Sequence, residues 1–210
     1  MTHVFWDVDT QVDFIDPGGK LYVAGSETIR ANLARLTTFA HDRGIRIVAS
    51  SDCHELADEE LSNDPNFADT FPPHCMKGSP GQARIPETQL RDVLVVEPDT
   101  DLAEALALLE GHAGDILFHK RYFDVFTNPC VTPFVGALGL TQVTLYGVAL
   151  DVCNRYAVEG LLAHHSNIAV TVVTDAVRAI DEQRRDELLA AWKARGVTLT
   201  TTAEATQITT

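Results

Sequence analysis

The chain has 210 residues, of which 45% are hydrophobic, a size at which one domain can bury a substantial core. Its formal net charge of -14 argues against nucleic acid or an anionic membrane surface as a partner. The four cysteines form no CxxC pair, the N-terminus has no signal core, and no apolar run approaches the length of a membrane span. We therefore expect a cytoplasmic protein.

Segments with the patterns of strands and helices alternate along the chain. Short apolar, β-branched runs indicate strands, whereas apolar residues at helical spacing, such as those after the candidate N-cap Ser26, indicate helices. The patterns predict strands at about 3–8, 45–49, 93–96, 116–119, 143–149, 169–174 and 197–200, and helices at about 26–43, 102–109, 131–138, 150–165 and 181–195.

This order of elements predicts the fold class. Repeated strand–helix–strand units imply right-handed crossovers and a mostly parallel sheet with helices on both faces. We therefore predict a three-layer α/β/α, Rossmann-like fold in which residues 1–210 form a single domain. A long segment at about 51–90 is rich in Pro, Asp and Gly and has no clear period, which is typical of a functional loop.

Polar side chains follow three of the predicted strands. Asp9, Lys120 and Cys153 each stand at or just after a strand end, and ligands of parallel sheets bind at the carboxyl ends of the strands. A thiol at a helix start lies among unpaired N–H groups, which favours the thiolate. Asp9 can take the thiol proton, while Lys120 favours the thiolate electrostatically. Each residue alone is commonly structural, but the three together indicate attack on an amide.

The long loop holds a second set of polar residues. Asp52, His54 and His74 combine carboxylate oxygen with imidazole nitrogen, the ligand types that suit a zinc-like or iron-like divalent ion. The acidic run at 58–60 offers a fourth ligand. A solvated surface is the alternative interpretation of such a loop.

Several motifs match one known family. Residues 9–14 (DTQVDF) resemble the D-x-Q-x-D-F opening of the isochorismatase-like cysteine hydrolases, and residues 147–153 (GVALDVC) resemble their nucleophile signature. Within this superfamily, residues 52–54 (DCH), 71–75 (FPPHC) and 78–81 (GSPG) resemble the nicotinamidase branch. The resemblance extends over nearly the whole chain, in order, and implies the isochorismatase-like α/β fold.

The resemblance also implies roles for the residues at the strand ends. Asp9, Lys120 and Cys153 correspond to the catalytic triad of the family. A cis peptide bond is implied between Val148 and Ala149. The N–H groups of Ala149 and Cys153 then correspond to the oxyanion hole, which stabilises the developing negative charge.

A metal site is implied in the same way. Asp52, His54 and His74 match the ligands of the nicotinamidase branch, and the fourth ligand is a His or Glu between the last two. Spacing favours Glu60, and Glu59 remains open. We expect one divalent ion, with Zn²⁺ first and Fe²⁺ or Mn²⁺ as alternatives.

The implied activity is hydrolysis of nicotinamide to nicotinic acid and ammonia through a thioester, for pyridine nucleotide salvage or amide catabolism. Phe14 and Phe71 match positions that flank the substrate ring, although core packing is their ordinary role. Cys53, Val152 and the bulky stretch 120–126 depart from the pattern near the pocket, so they leave the substrate open.

Three alternatives remain at this point. The first is another hydrolase of the superfamily, acting on a different amide, a ureido compound or an enol ether. The second is a non-catalytic domain that binds a ligand or a protein, and the third is a redox thiol protein. For the favoured amidase we expect a small aromatic carboxamide as partner and a homo-oligomeric state.

Overall fold

The computed structural model describes residues 2–207, and its strands form one parallel sheet. The strands are β1 (Thr2–Val8), β2 (Arg46–Asp52), β3 (Leu94–Val96), β4 (Ile116–Lys120), β5 (Leu140–Val148), β6 (Ala169–Arg178) and β7 (Thr198–Thr200). Their order is β3-β4-β2-β1-β5-β6-β7, and every pairing is parallel. The predicted parallel sheet is therefore confirmed.

Helices cover both faces of this sheet. They are α1 (Val12–Ile15), α2 (Arg30–Asp42), α3 (Leu102–Leu109), α4 (Val131–Ala137), α5 (Cys153–His164), α6 (Glu182–Ala194) and α7 (Thr202–Ala205). Side chains of α2 and α7 share one apolar cluster with the sheet, and side chains of α3, α4, α5 and α6 share the other. The three-layer architecture is confirmed. Within residues 2–207, no helix is long and apolar enough to cross a membrane.

The central strand β1 shows why the apolar runs of the sequence lack clean alternation. Trp6 and Val8 pack in one apolar cluster, whereas Phe5 packs in the other, and all three side chains are buried. A strand with helices on both faces must be apolar on both sides. Burial of these side chains on both faces is a major contribution to folding.

Strand β2 extends further than the sequence predicts. The predicted end at residue 49 is wrong, because Ser50, Ser51 and Asp52 continue the ladder and pair with β4. Their polarity ends the hydrophobic pattern, but parallel pairing satisfies their backbone groups and keeps them buried. In this register Asp52 lies opposite Lys120.

The first predicted helix begins differently. Ser26 starts a 3-10 helix (Ser26–Ile29) that precedes α2, and Gly25 occupies its N-cap position. The Ser26 hydroxyl donates to the carbonyl of Phe14 at 2.9 Å instead of capping the helix. The short helices α1 and α7 and the 3-10 helices Pro86–Thr88 and Val125–Thr127 were not predicted, because such short segments show no period.

The strand order reverses between β1 and β5, and this switch point creates a crevice at the carboxyl edge of the sheet. The two strands approach closely at Gly147, where φ is +117° and an added Cβ would lie 2.0 Å from the carbonyl oxygen of Val8. Only glycine fits this position. The chain leaves β1 at Asp9 and enters α5 at Cys153, so both residues face the crevice edge.

Candidate active site and metal centre

The three polar residues expected at the strand ends meet in a buried triad. The Lys120 Nζ atom lies 2.9 Å from Asp9 Oδ2 and 3.6 Å from Cys153 Sγ. All three residues are buried. The ammonium group of Lys120 therefore contacts both a carboxylate and a thiol at one edge of the sheet.

The Asp9 carboxylate is positioned by its backbone and by β2. The residue has φ of +49°, which turns the chain out of β1, and its N–H donates to the carbonyl of Ser50 at 3.2 Å. The Ser50 hydroxyl donates to Asp9 Oδ1 at 2.7 Å. The other carboxylate oxygen is thereby left to face Lys120.

The loop between β5 and α5, residues 149–152 (the candidate nucleophile loop), places Cys153 at the first position of α5. The peptide bond between Val148 and Ala149 is cis. The carbonyl of Ala149 accepts hydrogen bonds from the N–H groups of Val152 and Asn154, both at 3.1 Å. As the first helical residue, Cys153 has no helical acceptor for its own N–H group.

Protonation of the triad reflects its burial. Burial raises the pKa of the Cys153 thiol well above its ordinary value, with further increases from the charges of Asp9 and Asp52, while Lys120 acts in the opposite direction. Burial and the charge of Asp52 also raise the pKa of Asp9, again against Lys120. Burial and the two carboxylates thus oppose the thiolate form, which the helix start and Lys120 favour.

Lys120 remains charged within this site. Burial disfavours its ammonium group, but the neighbouring carboxylates of Asp52 and Asp9 raise its pKa well above the ordinary value. The same contact, together with His54 and His74, holds the pKa of Asp52 well below its usual range despite burial. A permanent positive charge thus lies between two carboxylates and beside the thiol.

A four-ligand cluster lies directly next to the triad. It consists of Asp52, His54, Glu60 and His74, whose ligand atoms all lie within 4.8 Å of one another. The Asp52 Oδ2 atom is 3.8 Å from His54 Nε2 and 3.5 Å from His74 Nε2. Its Oδ1 atom contacts Lys120, so Asp52 joins the cluster to the triad.

The structure separates the two glutamates considered for this cluster. Glu60 is buried, and its Oε1 atom lies 4.0 Å from His54 Nε2. Glu59 is exposed, and its carboxylate accepts a hydrogen bond from the Tyr122 hydroxyl at 3.2 Å. Among the described residues, Glu60 is thus the glutamate of the loop that approaches both histidines.

The donor atoms of the cluster fit a divalent cation. The Nδ1 atom of His54 lies 3.2 Å from Asp58 Oδ2, and the Nδ1 atom of His74 lies 2.8 Å from the carbonyl oxygen of Pro72. These contacts direct both Nε2 atoms into the cluster. These Nε2 atoms and Glu60 Oε2 are buried and have no hydrogen-bond partner within residues 2–207. Two imidazoles and two carboxylates suit Zn²⁺, Fe²⁺ or Mn²⁺.

The electrostatics of Glu60 support the same interpretation. Burial and the negative charge of Asp52 raise the pKa of Glu60 to about 7, against the opposing effect of Lys120. A proton held on this carboxylate compensates for the buried negative charge. A divalent cation would supply the compensation instead, since metal ligands bind in their deprotonated form.

A cavity of about 260 Å³ is lined by Cys153 of the triad and by Asp52, Glu60 and His74 of the four-ligand cluster. Phe14, Phe71, Phe123 and Val152 contribute to its wall, together with Cys153. The Phe14 ring centroid lies 5.4 Å from that of His74, and the Phe71 centroid lies 5.6 Å from that of Phe123. A mainly apolar wall that includes several aromatic rings, above a polar floor, suits an uncharged ring that carries one polar group.

Sequence reasoning missed the positioning roles of Gln11 and Asp13. The Gln11 side chain donates to the carbonyl of Asp52 at 2.9 Å and accepts from its N–H at 2.7 Å. Asp13 accepts from the N–H groups of Cys75 and Lys20. These bonds attach Asp52 and Cys75 of the long loop to the segment after β1. Polar residues at alternate positions of a buried segment were the available signal.

Two further positioning residues left little signal in the sequence. Asp151 accepts hydrogen bonds from the N–H groups of Ile180 and Asp181, at 2.9 and 3.0 Å, and so holds the nucleophile loop against the connection from β6 to α6. Arg84, near the end of the long loop, forms a buried ion pair with Asp7 of β1. Both contacts join segments that are far apart in sequence.

Comparisons with known proteins agree with this geometry. A family model described as Isochorismatase domain matches residues 4–204. The chain is 27% identical over 176 residues to a nicotinamidase/pyrazinamidase of Mycobacterium tuberculosis, covering 82% of this chain and 84% of that protein. It is also 26% identical over 175 residues to a probable inactive nicotinamidase of Arabidopsis thaliana, covering 82% and 78%.

A solved structure shows the same fold over nearly the full length. The pyrazinamidase of Pyrococcus horikoshii, in complex with zinc, superposes with a TM-score of 0.74 at 22% sequence identity. The superposition covers 96% of this chain and 99% of that one.

Proposed function

The chain belongs to the isochorismatase-like hydrolase family, and from this premise we propose that it is a metal-containing cysteine amidase acting on nicotinamide or a close aromatic carboxamide. The products are the carboxylic acid and ammonia. One observation carries the proposal: Asp52 connects the triad to the four-ligand cluster, and Cys153 lines the same apolar cavity as three residues of that cluster. A nucleophile and a site for orienting an aromatic ring are therefore adjacent.

The proposed reaction begins at Cys153. Its thiol proton passes to Asp9, and the sulfur attacks the carboxamide carbon. The N–H groups of Ala149 and Cys153 donate to the resulting oxyanion. Asp9 then returns the proton to the leaving nitrogen, the C–N bond breaks, and ammonia departs from a thioester. Lys120 stays protonated throughout and balances the negative charge that moves among sulfur, oxygen and carboxylate.

The second half of the reaction restores the thiol. Asp9 takes a proton from a water molecule, and the water oxygen attacks the thioester carbon. The C–S bond breaks, Cys153 recovers its proton, and the carboxylic acid leaves. Burial raises the pKa of Asp9, and this makes its carboxylate a stronger base for both proton transfers.

The proposed ligands of a divalent ion are Asp52, His54, Glu60 and His74. An ion bound by these residues, Zn²⁺ or in its place Fe²⁺ or Mn²⁺, would supply an electrophilic site for the ring nitrogen of the substrate. Phe14 and Phe71 stand on the cavity wall at positions that allow packing against the ring faces. Together, the ion and the two rings would orient the substrate so that its carboxamide lies over Cys153.

The decisive experiment measures ammonia release from nicotinamide by the metal-loaded protein. We expect turnover that falls by roughly 10³-fold or more in Cys153→Ala and is lost after chelation, then recovered when metal is added back. An unchanged rate in Cys153→Ala would exclude the cysteine mechanism. No ammonia from a folded, metal-loaded protein would exclude nicotinamide as the substrate.

A second candidate is hydrolysis of a different amide by the same triad. The rings of Phe123 and Tyr156 stack with centroids 5.9 Å apart beside the cavity, and Val152 adds a branched side chain to its wall. These residues narrow or reshape the substrate site. A panel of aromatic, aliphatic and ureido amides tests this candidate, which is favoured if another amide exceeds nicotinamide in kcat/KM.

A silent binding domain is the candidate from a different class, and one relative is named a probable inactive nicotinamidase. Here the three triad side chains remain in contact, an arrangement that ligand binding alone does not require. Alkylation of Cys153 by iodoacetamide distinguishes the two: an enzyme is inactivated in step with labelling, whereas a silent domain shows no amide turnover before labelling.

A further inference from the structure

A second group of metal-binding side chains lies outside the four-ligand cluster. It consists of Cys53, Glu97 and His119, whose sulfur, oxygen and nitrogen atoms lie within 4.8 Å of one another. None of these residues takes part in the reaction proposed above. Cys53 is also the residue that departs from the family pattern between two ligands of the first cluster.

The strand register brings these residues together. His119 pairs with Ser51 of β2, and Phe118 pairs with Val96 of β3, so Glu97 follows directly beside His119. The N–H of Cys53 donates to the carbonyl of Lys120 at 3.0 Å and extends the ladder by one residue. Three neighbouring strand ends therefore deliver the three side chains.

Side-chain alternation separates this group from the first cluster. Successive side chains of a strand point to opposite faces, and Asp52 and Lys120 point toward the triad. Their chain neighbours Cys53 and His119 consequently lie on the other side of the sheet edge. An ion bound there would be held apart from the catalytic cavity.

The backbone that carries two of the ligands is fixed. The Asn128 side chain donates to the carbonyl of Val96 at 3.1 Å and to that of His119 at 3.0 Å. It thereby holds the ends of β3 and β4 together. The Nδ1 atom of His119 and Oε1 of Glu97 are already 2.9 Å apart. Little rearrangement is needed to place both on a common ion.

Access to the group is one-sided. Cys53 is only 4% exposed, whereas the side chains of His119 and Glu97 are 14% and 36% exposed. A buried sulfur at the base and two partly open ligands at the rim form a site with three protein ligands and a coordination position left for water. Sulfur, imidazole nitrogen and carboxylate oxygen are all established zinc ligands.

We propose that Cys53, Glu97 and His119 form a second site for a divalent ion of the Zn²⁺ type. Binding forms a bond between the ion and Cys53 Sγ, and the thiol proton leaves to solvent. A plain ion pair between Glu97 and His119 is the alternative, and it leaves the sulfur without a role. The two groups differ in their donor atoms: this one includes the sulfur of Cys53, whereas the four-ligand cluster contains only nitrogen and oxygen donors.

Cadmium titration tests the site, since Cd²⁺ bound to a thiolate absorbs in the ultraviolet through charge transfer. The full-length, metal-free protein in a Cys153→Ala background is titrated with Cd²⁺ while heat and absorbance are recorded. We expect two equivalents, one of which produces the thiolate band. Cys53→Ser should lose that band and that equivalent but keep the other, which shows that the fold persists.

Glu97→Gln and His119→Gln provide independent variants at partly open positions, so the test does not depend on the folding of Cys53→Ser. Each is expected to weaken the band-forming equivalent by roughly tenfold or more. Cys130→Ser is the matched control, because Cys130 is a buried cysteine outside both clusters, and it should keep both equivalents. A band that survives Cys53→Ser, or a single equivalent without a band, overturns the proposal.

Discussion

At the scale of single residues, the site depends on carboxylates that share one buried cation. Asp52 contacts Lys120 with one oxygen and faces His54 and His74 with the other, while Asp9 contacts Lys120 from the opposite side. Removing one partner from a buried charge pair leaves the others uncompensated, which is more harmful than loss of a surface pair. Lys120 therefore has a structural and an electrostatic role together.

The substitution Lys120→Met tests both the structural and the electrostatic role of this residue. We expect the free energy of unfolding to fall by about 3–5 kcal/mol, because two buried carboxylates lose their cation. Lys120 lowers the pKa of Asp9 and of Cys153, so its loss should move iodoacetamide labelling of Cys153 to higher pH. Urea unfolding and a pH series of labelling rates measure both effects.

The matched control is Lys77→Met. Its ion pair with Glu55 has an N–O distance of 3.7 Å, and both side chains are more than half exposed, at 55% and 56%. Exposed pairs contribute about 1 kcal/mol or less. Equal effects of the two substitutions would contradict the buried role of Lys120.

Glu60 makes metal binding and stability depend on pH. Burial raises its pKa from the ordinary 4.5 to about 7, so between these values the folded metal-free protein holds a proton that the unfolded chain has lost. This contribution to stability is complete below pH 4.5 and disappears as the pH rises through about 7. Metal binding must displace the same proton, so its affinity should increase up to about pH 7.

Glu60→Gln should weaken metal binding by roughly tenfold or more and flatten this part of the pH dependence. The neighbouring Glu59→Gln is the matched control, because Glu59 is exposed and bonds to Tyr122. Calorimetric titrations with Zn²⁺ at several pH values measure the affinities. If Glu59→Gln lowered the metal affinity as much as Glu60→Gln, the assignment of Glu60 as the fourth ligand would be wrong.

At the scale of elements, the site is built from strand ends and from the turns that leave them. Strands β1 and β5 approach closely at Gly147, and Asp9 and Cys153, which follow these strands, both contact Lys120. The nucleophile loop is then held by Asp151, which accepts two backbone N–H groups from the connection after β6. Both strands must keep this spacing for the triad to form.

Gly147→Ala should disrupt that spacing. The new Cβ would lie 2.0 Å from the carbonyl oxygen of Val8, and φ of +117° disfavours any side chain. We expect destabilisation of roughly 2 kcal/mol or more and loss of amidase activity. Thermal unfolding and ammonia release measure these outcomes.

Gly136→Ala is the control substitution for Gly147→Ala. Gly136 lies in α4, no heavy atom stands within 4 Å of the position of an added Cβ, and its φ is ordinary for a helix. This change should leave activity intact and stabilise the protein by about 0.4–1 kcal/mol. Comparable losses in both variants would show that the contact between β1 and β5 has no special importance.

At the scale of the whole molecule, the segment between β2 and the 3-10 helix Pro86–Thr88 is held by contacts rather than by regular structure. Gln11 and Arg84 attach its two ends, Asp13 attaches Cys75 within it, and the segment carries Glu60 and His74 of the four-ligand cluster. Exposed Leu56 and Phe67 also lie in this segment. A bound ion would connect parts of the loop that are distant in sequence.

Metal removal should therefore loosen this loop before the sheet. We expect chelation to open residues between His54 and His74 to limited proteolysis, while the strands stay protected from hydrogen exchange. A free metal concentration 1,000 times its Kd should stabilise the fold by about 4 kcal/mol. Mass spectrometry locates the cleavage sites. Cleavage that is the same with and without metal would show that the ion does not order the loop.

Much of the fold could be predicted from local sequence because apolar, β-branched runs and helical spacing act over a few residues. This local signal located all seven strands of the described chain to within four residues at either end, and it gave both bounds of helix α3 correctly. It failed at Ser50–Asp52, where polar residues are kept in β2 by pairing with β4. It also missed α1 and α7, which are too short to show a period, although the capping box of Thr201 and Glu204 was a usable signal.

The sequence by itself determined the parallel α/β fold and the types of reactive group at the strand ends, because strand pattern and motif spacing are local properties. Only the tertiary structure decided how these groups interact. It placed Glu60 rather than Glu59 beside the histidines, and it gave Asp52 contacts in both the triad and the four-ligand cluster. It also buried Cys153, and burial raises the pKa of its thiol well above the ordinary value. Burial and the distances between charges on separate strands set these properties, and both arise only when the chain has folded.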